Sequence, residues 1–249
     1  MNISVCTVAY NEAEWIAACI RQFKPFHLRH LILVSDKPWY GEGVPVDETA
    51  SIARDCLAEV VEGTWANEAE QRNRGLEILS ESGYVLIVDA DELYAPDDIE
   101  ALLAFLANSR EPGFRVAAMQ TYWKTPEHAF VPAERWEPPV IALNPKEIRF
   151  LKHRQVPAKL PSIPVTLHHM SWVKSDAKVR EKIQSFSHAD QMRPGWLENI
   201  WLRWHPGPGM EGVDVSPYGG SPMFVAPSPC PLSLPRVAGE RRGSGNVRD

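Results

Sequence analysis

The first half of the chain sets unbroken apolar runs between segments of helical period. Ile3–Ala9, but for Ser4, and Leu31–Val34 and Tyr84–Val88 carry apolar or β-branched residues without alternation. That pattern suits strands buried on both faces of a parallel sheet. Glu59–Glu62 reads as a shorter strand between them. Trp15, Ile16, Cys19 and Ile20 recur with helical spacing, with Asn11 as the expected N-cap. Asp47 is expected to cap a helix over 48–57, and a third helix opens near Trp65 and reaches about Ser82. Pro96-Asp97-Asp98 starts a fourth, with Ile99, Leu102, Leu103 and Leu106 as its apolar set. Strand and helix alternate four times, which predicts a doubly wound, mostly parallel α/β sheet with helices on both faces.

After Gly113 the pattern changes. Strands are predicted over 114–123, 140–143, 148–151 and 165–172, separated by proline-rich connections, and Ser175-Asp176 caps a helix with Val179, Ile183 and Phe186 on one face. The aromatics of 120–124 and 130–136 suit stacking on a sugar ring or core packing equally well. From Pro206 onward, sixteen of forty-four residues are proline or glycine and no period is visible, so a loosely attached tail is expected. The chain thus divides into an α/β half over 1–112, a smaller mixed region over 113–205 and the tail over 206–249.

The net charge of −6 leaves no footprint for nucleic acid. The four cysteines have neither metal nor disulfide spacing and read as reduced thiols of a cytoplasmic protein. No secretory signal precedes Ile3, and no apolar stretch approaches the ~20 residues that span a bilayer, so any membrane attachment is expected to be peripheral.

The candidate chemistry gathers where the predicted strands end. In open α/β sheets that edge binds ligands. Asn11 and Glu12 follow the first strand, Asp36 the second, and Asp89-Ala90-Asp91-Glu92 the fourth. Two carboxylates one residue apart need a cation or water if buried, and hard oxygen ligands suit Mg²⁺ or Mn²⁺. The plainer alternative is that these acids only decorate a turn. Arg72 either pairs with Glu68 on the helix surface or faces a diphosphate. His168 and His169 point to opposite faces of a strand, so one is structural and the other can meet a metal or phosphate. Lys178, Arg180 and Lys182 read as a solvated helix face.

Together these pieces resemble glycosyltransferase family 2, a GT-A-type fold. The resemblance rests on Ala9-Tyr10-Asn11-Glu12, a second strand ending in Asp36, Arg72-Asn73-Arg74-Gly75-Leu76 and Val88-Asp89-Ala90-Asp91-Glu92. The stretch from Trp65 to Arg72, the Asp89-Ala90-Asp91-Glu92 turn, His169-Met170-Ser171-Trp172 and Ser185-Phe186-Ser187-His188 also resemble family 17, the β-1,4-N-acetylglucosaminyltransferases. The resemblance implies a metal-dependent, inverting transfer of a sugar from a nucleotide-diphosphate sugar to a glycan or lipid-linked acceptor, with 113–205 as the acceptor side. It implies contacts to the nucleotide sugar from Ala9, Tyr10, Asn11, Glu12, Asp36, Arg72, Asp89 and Ala90. It implies Mn²⁺ or Mg²⁺ on Asp91, with Asp89 and His169 beside it. The base is expected on the acceptor side at Glu134, with Glu127, Glu137 and Asp190 as alternatives, and the protein in the cytoplasm, with any membrane association peripheral at the inner face. Two rivals differ in class. One is a decayed, non-catalytic nucleotide-sugar-binding protein. The other is a sugar nucleotidyltransferase, which usually has a glycine-rich loop that is missing after Val8.

Overall fold

The computed structural model describes residues 2–41, 43–132, 138–186, 188–210, 212–228 and 230–232. Its frame is four parallel strands, β1 (Ile3–Ala9), β2 (Arg29–Ser35), β3 (Glu59–Gly63) and β4 (Tyr84–Asp89), in the spatial order β4-β1-β2-β3. Their crossovers are α1 (Ile16–Phe23), α2 (Thr49–Asp55) and α3 (Glu68–Ile78). The unbroken apolar runs are explained by burial on two sides. Leu86 and Val88 pack with Phe23, Ile99 and Leu102, while Val85 and Ile87 face Leu76 of α3 and Leu79 just past its end. The chain order reverses between β1 and β4, which places a crevice at the carboxyl ends of those strands.

The second half extends the same sheet. A short β5 (Glu92–Leu93) leads into α4 (Pro96–Ala107), followed by β6 (Gly113–Trp123), β7 (Thr125–Val131), β8 (Val140–Leu143), β9 (Ser162–Trp172), α5 (Asp176–Ser185) and β10 (Phe224–Pro227). β8 joins β4 antiparallel, β6 pairs with both β8 and β7, and β9 runs parallel to β6 while pairing β5.

Several expectations are corrected. α1 starts at Ile16, five residues beyond Asn11, whose φ of 52° and hydrogen bonds to the 45–47 loop replace the expected cap. Residues 148–151 form no strand. Asn73 bonds the Phe150 N–H (2.8 Å) and C=O (2.9 Å) and so takes the place of a neighbouring strand. Trp123 and Phe130 are buried in a second core with Trp172, Trp196, Trp201 and Trp204, which gives these aromatics to packing rather than to sugar stacking. The tail is also attached over part of its length. Val215 is fully buried in that tryptophan core, the Trp196 indole donates to its carbonyl (3.0 Å), and β10 pairs antiparallel with β7. Apolar positions spaced among prolines supply this packing without showing a period.

Candidate active site

A cavity of about 340 Å³ opens at the carboxyl ends of β1 and β4. It is lined from the first half by Ala9, Tyr10, Asn11, Glu12, Arg72, Asp89, Ala90 and Asp91. The second half adds Arg154, His169, Lys174, Lys182 and the aromatic wall of Phe186, His188 and Tyr218. Of the expected residues, Asp36 is not among the lining; it is exposed and accepts a hydrogen bond from Thr64 (2.6 Å). Glu134 and Glu137 lie outside the described residues. Glu127 and Asp190 do not line the cavity, whereas Glu181 of α5 does.

The floor is built from two adjacent ion-pair clusters. In the first, α3 delivers Arg72, which holds Asp89 through both oxygens at 2.6 and 3.1 Å. Glu68 backs Arg72 at 3.5 Å, so the i, i+4 pair exists but lies inside, against the sheet edge. α3 can bring Arg72 this close because Gly75 sits on β1. A methyl group there would collide with the Cys6 sulfur. Arg154, from the loop before β9, bridges Glu92 and Asp89 and donates to the Ile87 carbonyl. Burial alone would raise the Asp89 carboxyl; Arg72 and Arg154 outweigh it and hold it below its ordinary value.

The second cluster surrounds Asp91, which is almost fully buried. Its Oδ1 lies 3.6 Å from His169 Nε2, and its Oδ2 lies 3.4 Å from Lys182 Nζ and 3.7 Å from Lys174 Nζ. His168, on the opposite face of β9, bonds the Tyr122 hydroxyl (2.9 Å) and is the structural member of the pair. Lys182 also donates to Ser171 Oγ (2.7 Å), and Lys174 to Glu12. Burial works against a charged Asp91, but Lys182, Lys174 and His169 hold its carboxyl well below the usual range. Burial lifts the Glu12 carboxyl against the pull of Lys174, while Glu12 and Asp91 together overcome burial to strengthen the hold of Lys174 on its proton.

These contacts test the expected metal. Among the described residues no three His, Cys, Asp or Glu side chains converge as a ligand set. Asp89 spends both oxygens on Arg72, and Asp91 faces two ammonium groups. Two unit charges ~4 Å apart repel by about 4 kcal/mol at an effective dielectric of ~20, and by twice that when one is a dication. The donor set as arranged does not fit Mn²⁺ or Mg²⁺. Arg154, Lys174 and Glu181 escaped the sequence reading because each lies outside the strand-end motifs. Lys182 was assigned to a solvated face, yet α5 turns it inward.

A family profile described as Glycosyl transferase family 2 matches residues 4–178. No curated protein matches. Among solved structures, S. aureus TarS is similar at 17% identity and a TM-score of 0.37, over 47% of this chain and 36% of that one. The mannose-1-phosphate geranyltransferase of Thermus thermophilus aligns at 15% identity and a TM-score of 0.35, over 57% and 50% of the two chains. A putative glucose-1-phosphate thymidylyltransferase from Bacillus anthracis aligns at 11% identity and a TM-score of 0.36, over 80% and 79%. The chain therefore spans little more than a third of the TarS chain.

Proposed function

The chain belongs to glycosyl transferase family 2, and from that premise we propose that it transfers a sugar from a nucleotide-diphosphate sugar to an acceptor hydroxyl with inversion. The observation that carries this reading is the cavity at the β1/β4 reversal, where Tyr10-Asn11-Glu12 and Asp89-Ala90-Asp91 meet the cations of the second half. The nucleotide lies along the β1 and β4 ends, with its diphosphate toward Lys174 and Lys182. The acceptor, a glycan or lipid-linked sugar, enters past Phe186, His188 and Tyr218.

In the transfer, the acceptor oxygen attacks the anomeric carbon while the bond from that carbon to the diphosphate oxygen breaks. The bonding pair leaves with the diphosphate, and the acceptor proton passes to a carboxylate. Glu181 is the cavity-lining carboxylate among the described second-half residues, so we assign it the base. Preorganised cations stabilise the charge that develops on the leaving group. The metal-dependent form of the reaction, implied by the family resemblance, meets the misfit at Asp91.

The test is release of nucleoside diphosphate from UDP- and GDP-hexoses and UDP-N-acetylhexosamines, with and without simple glycoside acceptors. Acceptor-stimulated release is expected for one donor. Glu181→Gln should lower kcat by about 10²–10⁴-fold with donor binding unchanged. Nucleotide binding without transfer to any acceptor would instead support a decayed, binding-only protein.

A further inference from the structure

Lys174 and Lys182 are placed in a way that a merely solvated helix face does not require. Lys174 comes from the turn between β9 and α5, and its side chain is 4% exposed. Lys182 comes from the second turn of α5 and is fixed from two sides, by Ser171 Oγ at 2.7 Å and by the Trp172 ring at 5.6 Å. Both line the cavity. The neighbouring cations are already committed, since Arg72 binds Asp89 in bidentate fashion and Arg154 bridges Glu92 and Asp89. An ammonium is a compact point charge with three rotatable donors. Lys182 turns its own to Ser171 Oγ (2.7 Å), the Ser171 carbonyl (3.3 Å) and Asp91 (3.4 Å), and Lys174 reaches Glu12 and, at 3.7 Å, Asp91, so an arriving oxyanion exchanges for the long contacts while the short ones hold each lysine in place.

We propose that Lys174 and Lys182, gathered on Asp91, bind the donor diphosphate and neutralise its charge on departure in place of a divalent cation, so that this chain works without metal. Asp91 is then a positioning residue that holds the two ammonium groups together at the floor. His169 closes its other oxygen. The inference rests on the nucleotide-sugar reading above and specifies how that site holds its ligand.

The measurement is calorimetric titration of the full chain with UDP, GDP, CDP and dTDP, first in excess EDTA and then in excess Mn²⁺ or Mg²⁺. One of the nucleotides is expected to bind in EDTA with a Kd within about threefold of its value with metal. Lys182→Ala should weaken that binding by about 10–100-fold, the loss of one charge-assisted contact. Lys182→Arg, which keeps a cation, should restore most of it. Asp91→Asn, which keeps both ammonium groups but loosens them, should weaken binding in EDTA by less than about tenfold. Binding that appears only with metal and vanishes in Asp91→Asn would overturn the inference while leaving the transferase reading intact. Wild-type affinity in Lys182→Ala would overturn it as well. If no nucleotide binds under either condition to protein with an unchanged melting temperature, the inference and the nucleotide-sugar reading fall together.

Discussion

Asp89 and Asp91 stand one residue apart at the end of the same strand, and their surroundings differ in kind. Asp89 is gripped by arginines, Arg72 through two hydrogen bonds and Arg154 at 3.5 Å, which themselves reach Glu68, Glu92 and the Ile87 carbonyl. Asp91 meets lysines and a histidine at 3.4–3.7 Å, none of them bidentate. A planar guanidinium fixes geometry, whereas an ammonium on a flexible stem supplies charge and can turn toward a new partner. One Asp-x-Asp pattern thus splits into a carboxylate that ties α3 and the 144–161 loop to the sheet and a carboxylate that organises the cavity floor. The motif alone suggests two equivalent ligands; the neighbours decide otherwise.

The strongest way to break this comparison is to neutralise each acid in turn. Asp89→Asn sets an amide against two buried guanidinium groups, and removing one partner of a buried pair costs about 3–5 kcal/mol. Asp91→Asn leaves Lys174 with Glu12 and Lys182 with Ser171, so about 1–2 kcal/mol is expected. Urea unfolding of the two variants checks this. Equal losses would mean that both carboxylates are structural and the division is wrong.

A smaller effect is expected from the region that closes the cavity on its far side. Deleting residues from Pro217 onward removes β10 from β7 and takes Tyr218 from its stack on Phe186. Compared with a chain ending at Leu232, this should cost about 2–4 kcal/mol, the scale of burying one or two large apolar side chains. An unchanged melting temperature would return the segment to the loosely attached tail expected from its composition. Gly75→Ala probes the arginine side without touching an acid. Alanine favours a helix, but its methyl group would meet Cys6 and Leu33, so a net loss of about 1–3 kcal/mol is expected. A gain in stability would show that α3 can move off β1 without loosening Arg72.

The first half was largely legible because its signals are local. Strands buried on both faces leave unbroken runs such as Tyr84–Val88, and the strand-end acids follow them directly in sequence. The second half was less so. Lys182 and Glu181 lie on a helix whose low amphipathic contrast hides which side faces inward, since Val179 and the cavity-facing charges share it. Arg154 sits in an irregular loop, and nothing in its local sequence shows that its guanidinium reaches Ile87 and Glu92. Asn73 completes the hydrogen bonds of Phe150 across 77 residues, so residues 148–151, strand-like in composition, are held as an irregular loop. The same distance effect misplaced the cap of α1. Asn11 turns to the 45–47 loop because its left-handed backbone aims its amide away from the helix.

The smallest expected effect separates these clusters from the rest of the core by pH. His30 on β2 is buried, bonds Thr7 (2.9 Å) and packs on Phe23, and burial lowers its pKa to about 3. Its unfolded value is about 6.5. The unfolded chain therefore takes up a proton that the folded one refuses, so this contribution is complete above about pH 6.5 and is lost as pH falls toward 3. At pH 6 the loss relative to pH 8 is about 1 kcal/mol. The carboxylates act in the same direction but lower. Asp89 and Asp91 are held below their ordinary values, so their contribution stays in place until pH falls below about 4. Urea unfolding at pH 8 and pH 6 should therefore show a smaller difference for His30→Gln than for the wild type. Asp89→Asn and Asp91→Asn should keep the wild-type difference. If the aspartate variants lose it instead, the two clusters titrate near neutrality, and their pairing with arginine and lysine is weaker than the geometry requires.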